Sequence, residues 1–198
     1  NADGIEMAFC SAVSGYTPRW GNHLPEQRRA THRFLVRHNP ASVQDWDSLG
    51  YAIGRLAPPF CVPLLSGNFA KPEINHLKAC FAAMAASSGV EMAHIEGHTP
   101  EAMTEAMATG NRKIETIEIG EEEVRASIGD FMRPGGKVGF VSLGCPHYSI
   151  DQIRDVVRSL GGRRVHPRVE LQVWTSGPMK SVANRCGYTR ELERSGAR

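Results

Sequence analysis

Cys145, Pro146 and His147 stand in a row, and a thiol and an imidazole two residues apart can do chemistry. Together they could hold a metal, or act as nucleophile and base. The competing reading is a small thiol buried in a tight turn beside a surface histidine, since free cysteine commonly behaves as a small hydrophobe. Pro146 limits the loop's freedom and helps to fix the direction of both side chains. A second cluster, GNHLPEQRR from Gly21 to Arg29, is polar, broken by proline and rich in groups that bind carboxylates. His23 and Arg28 could clamp an anionic substrate there, because a guanidinium meets a carboxylate through two hydrogen bonds. A solvated loop is the alternative. A third stretch is Gly97-His98-Thr99-Pro100-Glu101. Thr99 suits a helix N-cap, Pro100 the first helical position and Glu101 the first turn. Such a helix start offers free backbone N–H groups to an anion. His94, just before it on an apolar segment, reads first as a hydrogen-bonded core residue and second as a ligand.

The elements that must hold these clusters follow from periodicity. Val138, Phe140, Val141 and Leu143 form an apolar run that predicts a buried strand ahead of Cys145. Ser149 and Gln152 fit a capping box, so a helix is expected from Ile150, with Ile153, Val156, Val157 and Leu160 on one face. Further strands are expected over Thr31 to Arg37, Phe60 to Leu65, Val90 to Glu96, Lys113 to Ile119 and Val169 to Val173. Helices are expected before Gly15, over Asp45 to Leu56, from Pro72 to Ser88, from Thr99 onward, over Glu121 to Phe131, over Met179 to Cys186 and over Tyr188 to Arg194. Cys10 falls on an apolar helix and Cys61 on a strand, and both are expected in a core. Strand and helix alternate throughout. The fold class is therefore α/β, three-layer α/β/α with a largely parallel sheet, in which ligands bind at the carboxyl ends of the strands. No GxGxxG or P-loop motif occurs, which removes dinucleotide and nucleotide-phosphate readings.

Composition sets the outer bounds. The 198 residues are 41% hydrophobic and 22% charged, with a formal net charge of +2. These are globular values, and no basic stretch resembles a nucleic-acid arm. No apolar run reaches the ~18 residues of a membrane span, and no signal-peptide pattern opens the chain. Five cysteines without a CxxC do not form a disulfide framework, so a reducing, cytoplasmic setting is expected. The chain opens at Asn1 straight into an apolar segment and ends after a helical stretch and a glycine. Both ends are expected to lie inside a longer protein.

Four stretches in order carry a resemblance: CSAVSGYTPRWGNHLPEQRR, GYAIGRL from Gly50 to Leu56, HIEGHTPEA, and SLGCPHYSIDQI. The series resembles the catalytic, large-subunit region of the aconitase X family of hydro-lyases over nearly the whole chain. Gly21, His23, Leu24, Glu26 and Arg28 match the family's Gly-x-His-Leu-x-Glu-x-Arg pattern, and Asn1 matches the Asn that closes an Arg-Thr-Asn motif. The resemblance implies an aconitase-like fold, a separate swivelling domain or small subunit as partner, and dehydration of a small hydroxylated acid. That acid is cis-3-hydroxy-L-proline in bacterial members and mevalonate 5-phosphate in archaeal ones. It implies iron, often as an iron–sulfur cluster, with Cys145 as the ligand in this chain. The partner cysteines of the family lie in segments that do not match Cys10, Cys61, Cys80 or Cys186. It further implies catalytic roles for His23, Arg28, His147 and Ser149, and substrate contacts for Asn1, Glu26, His94, Thr99 and Glu101. With one ligand, the chain alone is expected to be inactive. Nucleic acid and membrane are not expected as partners.

Two other classes compete with the enzyme reading. One is a non-catalytic binding subunit that keeps the fold without the site. The other is a Cys-His hydrolase built on Cys145 and His147, ranked last because two such side chains on one short loop rarely point at each other.

Overall fold

The structure is a computed structural model that describes residues 4–129, 131 and 135–198. The chain divides into two compact units, Asn1–Met132 and Arg133–Arg198. In the first unit the elements run α1 (Ile5–Ser14), β1 (His32–Val36), α2 (Val43–Leu56), β2 (Pro63–Gly67), α3 (Ile74–Ser88), β3 (His94–Ile95), α4 (Glu105–Thr109), β4 (Glu115–Ile119) and α5 (Glu121–Gly129). In the second they run β5 (Phe140–Leu143), α6 (Ile150–Leu160), β6 (Glu170–Val173), α7 (Gly177–Arg185) and α8 (Tyr188–Ser195).

All pairing among the named strands is parallel, as alternation of strand and helix requires. The strands divide into a four-stranded sheet in the order β3-β2-β1-β4 and a separate pair β5-β6. In the larger sheet side chains alternate between two covered faces. Phe34, Val36, Leu65, Ile95 and Ile119 join Trp46, Leu49 and Ile53 of α2 and Cys80 and Met84 of α3 in the main core. Leu64 points to the other face, where Ala30, Ala102 and Ala108 close a smaller cluster.

Two glycines of the GYAIGRL stretch explain how α2 and α3 come so close. A Cβ on Gly50 would fall well inside contact with the Cys80 backbone, and one on Gly54 would lie 2.7 Å from the Met84 carbonyl oxygen. Backbone therefore meets backbone there. α2 is fixed at its start by a full capping box between Ser42 and Asp45. That network, led by the hydrogen bonds with Ser42, holds the Asp45 carboxyl below the ordinary carboxylate value.

Several expected boundaries move. The strand expected at Phe60 begins at Pro63, because Phe60 adopts φ 60° after the Pro58-Pro59 break and is fully solvent-exposed. Only His94–Ile95 of the expected Val90 to Glu96 strand pairs with β2. α3 starts at Ile74, after a Glu73–His76 capping box, so Pro72 lies outside it. Cys10 is exposed on α1, a helix with no buried residue, and is not a core thiol. Cys61 is buried, as expected. β5 is half-exposed where a buried strand was expected, with Phe140 55% exposed, because it has a single strand neighbour and a small core.

Candidate active site

The first unit assembles the Gly21–Arg29 cluster with the stretch after β3. Residues Gly21–His23 and Pro25–Arg28 form two 3₁₀ turns. They fold Arg28 back, so that its Nη1 donates to the carbonyl oxygens of Asn22 at 3.1 Å and His23 at 3.3 Å. Its Nε donates to both carboxylate oxygens of Glu101, at 2.9 and 2.8 Å. This hydrogen bond, with the charges of Arg28 and His94, holds the Glu101 carboxyl below its ordinary value against a small opposing effect of burial. The same bond raises the Arg28 guanidinium further above its already high value.

His94 is only 1% exposed, and its Nε2 lies 2.6 Å from the Arg28 carbonyl oxygen. It is a hydrogen-bonded core residue that fixes the Arg28 backbone. Thr99 differs from the expectation in a related way. Its Oγ1 accepts from the Ile95 N–H at 3.0 Å and lies 3.2 Å from the Ile95 carbonyl oxygen, leaving no side-chain cap. Pro100–Ala102 is a three-residue 3₁₀ turn, so no α-helix begins at Thr99 to offer its end to an anion. The first α-helix of the region is α4, capped by Thr104. His23 reaches Thr17 Oγ1 at 3.4 Å from its Nε2. Glu26 lies exposed on the second 3₁₀ turn, where its charge also favours the Arg28 cation. Asn1 lies outside the described residues.

The second unit presents Cys145 and His147 on the loop that leaves the carboxyl end of β5. The loop is stitched to the one leaving β6. Trp174 N–H donates to the Leu143 carbonyl at 2.7 Å, and Tyr148 N–H donates to the Trp174 carbonyl at 3.0 Å. Thr175 Oγ1 then donates to the Tyr148 carbonyl at 2.7 Å. Gly144 makes this closeness possible: its φ is 117°, and a Cβ there would stand 2.9 Å from that of Trp174 while running into its carbonyl. Cys145 is exposed at the mouth of this loop. Ser149 forms the expected capping box with Gln152, its Oγ accepting from the Gln152 N–H at 3.3 Å. Its hydroxyl hydrogen is left for another acceptor. Sequence reasoning passed over Trp174 and Thr175, which hold the loop in place. The one signal for them was Gly144, a glycine at a strand end where a neighbouring backbone approaches.

Each unit thus brings part of the expected set together: Arg28, Glu101, His94 and the His23 turn in the first, and Cys145, His147 and Ser149 in the second. Among the described residues no group of three or more His, Cys, Asp or Glu side chains could hold a metal ion. No helix among them is long and apolar enough to cross a membrane.

Parallel α/β units, one carrying a carboxylate-anchored arginine and the other an exposed thiol at a strand's carboxyl edge, place the chain in the α/β class with polar groups at strand ends, where such folds bind ligands. Residues 30–129 match the aconitase X second domain and residues 138–198 the aconitase X third domain. The chain belongs to the aconitase X family. It is 35% identical to the phosphomevalonate dehydratase large subunit of Methanothermobacter thermautotrophicus, over 99% of this chain and 47% of that protein. It is also 35% identical to the cis-3-hydroxy-L-proline dehydratase of Pseudomonas aeruginosa, over 97% of this chain and 34% of that one. The crystal structure of Thermococcus kodakaraensis aconitase X in its holo-form superposes with a TM-score of 0.86 at 28% identity, covering 100% of this chain and 50% of that one. The chain spans half or less of the length of these relatives.

Proposed function

We propose that the protein containing this chain is a hydro-lyase that dehydrates a small hydroxylated acid. The observation that carries this reading is the Cys145 loop, an exposed thiol on the ligand-binding edge of a parallel α/β unit in a family whose named relatives are dehydratases. Dehydration takes a proton from the carbon beside a carboxylate and expels hydroxide from the next carbon with its bonding electrons, leaving a double bond. Arg28 is the residue for the carboxylate. Its Nε and Nη1 are held by Glu101 and two carbonyls, so the guanidinium is pre-oriented and Nη2 is the nitrogen left to meet the acid. Lys could not reproduce that arrangement. His23 and His147 are the side chains proposed to move protons, since an imidazole can both accept and donate.

Iron, when bound, supplies the Lewis acid that makes hydroxide a workable leaving group. A thiolate suits iron, and the exposed Cys145 fits as one ligand, with the remaining ligands to come from outside the described residues. The substrate proposed first is cis-3-hydroxy-L-proline; mevalonate 5-phosphate is the alternative. The partner proposed is a swivelling domain on the same polypeptide or a small subunit, since several relatives are named large subunits. The test is turnover by the intact protein, with any small subunit added, on each acid in turn. Dehydration of either supports the hydro-lyase reading. Binding of an acid without turnover by an iron-loaded preparation supports instead a binding subunit that kept the fold.

A further inference from the structure

Helix α4 and the 3₁₀ turn ahead of it lie on the face of the larger sheet to which Leu64 points, and they have little apolar anchorage there. Their buried side chains are Ala102, Ala108 and Thr109, while Met103 and Met107 are 53% and 55% exposed. At five residues α4 is too short to hold its shape alone. Polar ties therefore set where this segment lies. Its far end is fixed by the Ala30 N–H, which donates to the Ala108 carbonyl at 2.8 Å. Its near end carries two carboxylates four residues apart, each paired with an arginine: Glu101 with Arg28, and Glu105 with Arg33.

The two arginines differ in their footing. Arg28 lies on a 3₁₀ turn ahead of β1. Arg33 lies inside β1, an interior strand of the sheet, where its backbone is in register with Leu64 of β2 on one side and Thr116 of β4 on the other. Its Nε is buried and makes no hydrogen bond, and its Nη2 pairs with Glu105, the first residue of α4. The sheet thus holds the start of α4 through Arg33, and the start of α4 holds the turn that carries Glu101. We infer that Arg33 and Glu105 are positioning residues for Arg28: they fix the Glu101 carboxylate that aims its guanidinium. Neither touches the substrate. The inference rests on the proposed role of Arg28 in binding the substrate carboxylate. The competing account is a part-exposed ion pair with no bearing on the site, since such pairs contribute little to stability.

The experiment compares Arg33→Gln with the wild type in the intact protein, by two readouts. Without substrate, amide hydrogen exchange across residues 97–110 should speed up about threefold to fivefold, the scale of one such ion pair, while the amides of β2 keep their protection. With substrate, KM for the acid that the protein turns over should rise by a similar factor with kcat nearly kept, because carboxylate binding is common to ground and transition states. Glu105→Gln should match Arg33→Gln, and the double variant should add nothing. Arg33→Lys should stay near the wild type, since a single nitrogen makes the contact. Arg37→Gln breaks an exposed pair with Glu118 beside the same strand and should change neither readout. Unchanged exchange in Arg33→Gln would overturn the inference, as would Arg33→Lys doing equal damage, which would point to lost packing. Faster exchange with an unchanged KM would support the tie and overturn the substrate role of Arg28.

Discussion

Arg28 Nε donates to both oxygens of the Glu101 carboxylate, joining residues 73 apart in sequence. The pair ties the 3₁₀ turns before β1 to the turn after β3, and it sets the direction of the one guanidinium proposed for substrate. Glu101 is 47% exposed, so solvent screens the pair and its share of stability is below about 1 kcal/mol. Orientation of Arg28, and not stability, is what the pair contributes.

Glu101→Gln should therefore lower turnover of the intact enzyme far more than it lowers stability. The pH dependence has a definite sign. The Glu101 carboxyl is held below its ordinary value of 4.5, so its small stabilisation is present above that value and is lost as pH falls through the folded one. Urea unfolding of wild type and Glu101→Gln should differ slightly at neutral pH and converge as pH falls well below the ordinary carboxylate value. A gap that widens in acid would contradict the assignment.

Arg28→Lys should impair turnover or substrate affinity much more than Arg29→Lys. Arg28 uses a forked set of donors on Glu101, Asn22 and His23, which an ammonium cannot match. Arg29 is exposed and lies over Gly110. Steady-state kinetics on the two variants decides the point; equal, small effects would leave the clamp without support.

Gly50→Ala should destabilise the first unit by about 3 kcal/mol, the upper end of what overpacking costs. The new methyl would collide with Cys80 backbone, which cannot rotate away. Thermal or urea unfolding measures this directly. A loss within experimental scatter would mean that α2 and α3 are not in backbone contact.

Native thiol labelling should sort the cysteines outside α1. In iron-free protein Cys145 and Cys186 are exposed and should react. Cys61 and Cys80 should not. Burial pushes both thiols up, with the charge of Asp47 adding to the effect at Cys80 and the hydrogen bond from Thr31 partly offsetting it at Cys61. Prompt labelling of Cys80 in folded protein would contradict the packing of α2 on α3.

Much of this architecture was legible in the residues. The alternating order of strands and helices, the Ser149 capping box and the glycine stop at Gly15 follow from local chemistry that the fold does not override. The failures are tertiary. Phe60 reads as strand because it is apolar, but its backbone turns and its ring faces solvent. Val90 to Glu96 reads as a full strand, yet β3 pairs over two residues at a sheet edge. Thr99-Pro100-Glu101 carries every sign of a helix start, but the Thr99 hydroxyl turns back to Ile95 and a single 3₁₀ turn results. At the site, local spacing placed Cys145 on a strand-end loop. It could not show that Arg28 reaches Glu101, because no short-range signal connects positions so distant in sequence.

The most direct test of the proposed function is iron content and turnover of the intact protein with Cys145→Ser, using Cys61→Ser as the buried control. Cys145 is exposed at the carboxyl edge of β5, where its replacement would remove the proposed thiolate ligand without disturbing a core. The account predicts that Cys145→Ser lowers bound iron and abolishes dehydration while circular dichroism stays that of a folded α/β protein, and that Cys61→Ser keeps its iron. Full iron and full activity in Cys145→Ser would contradict it.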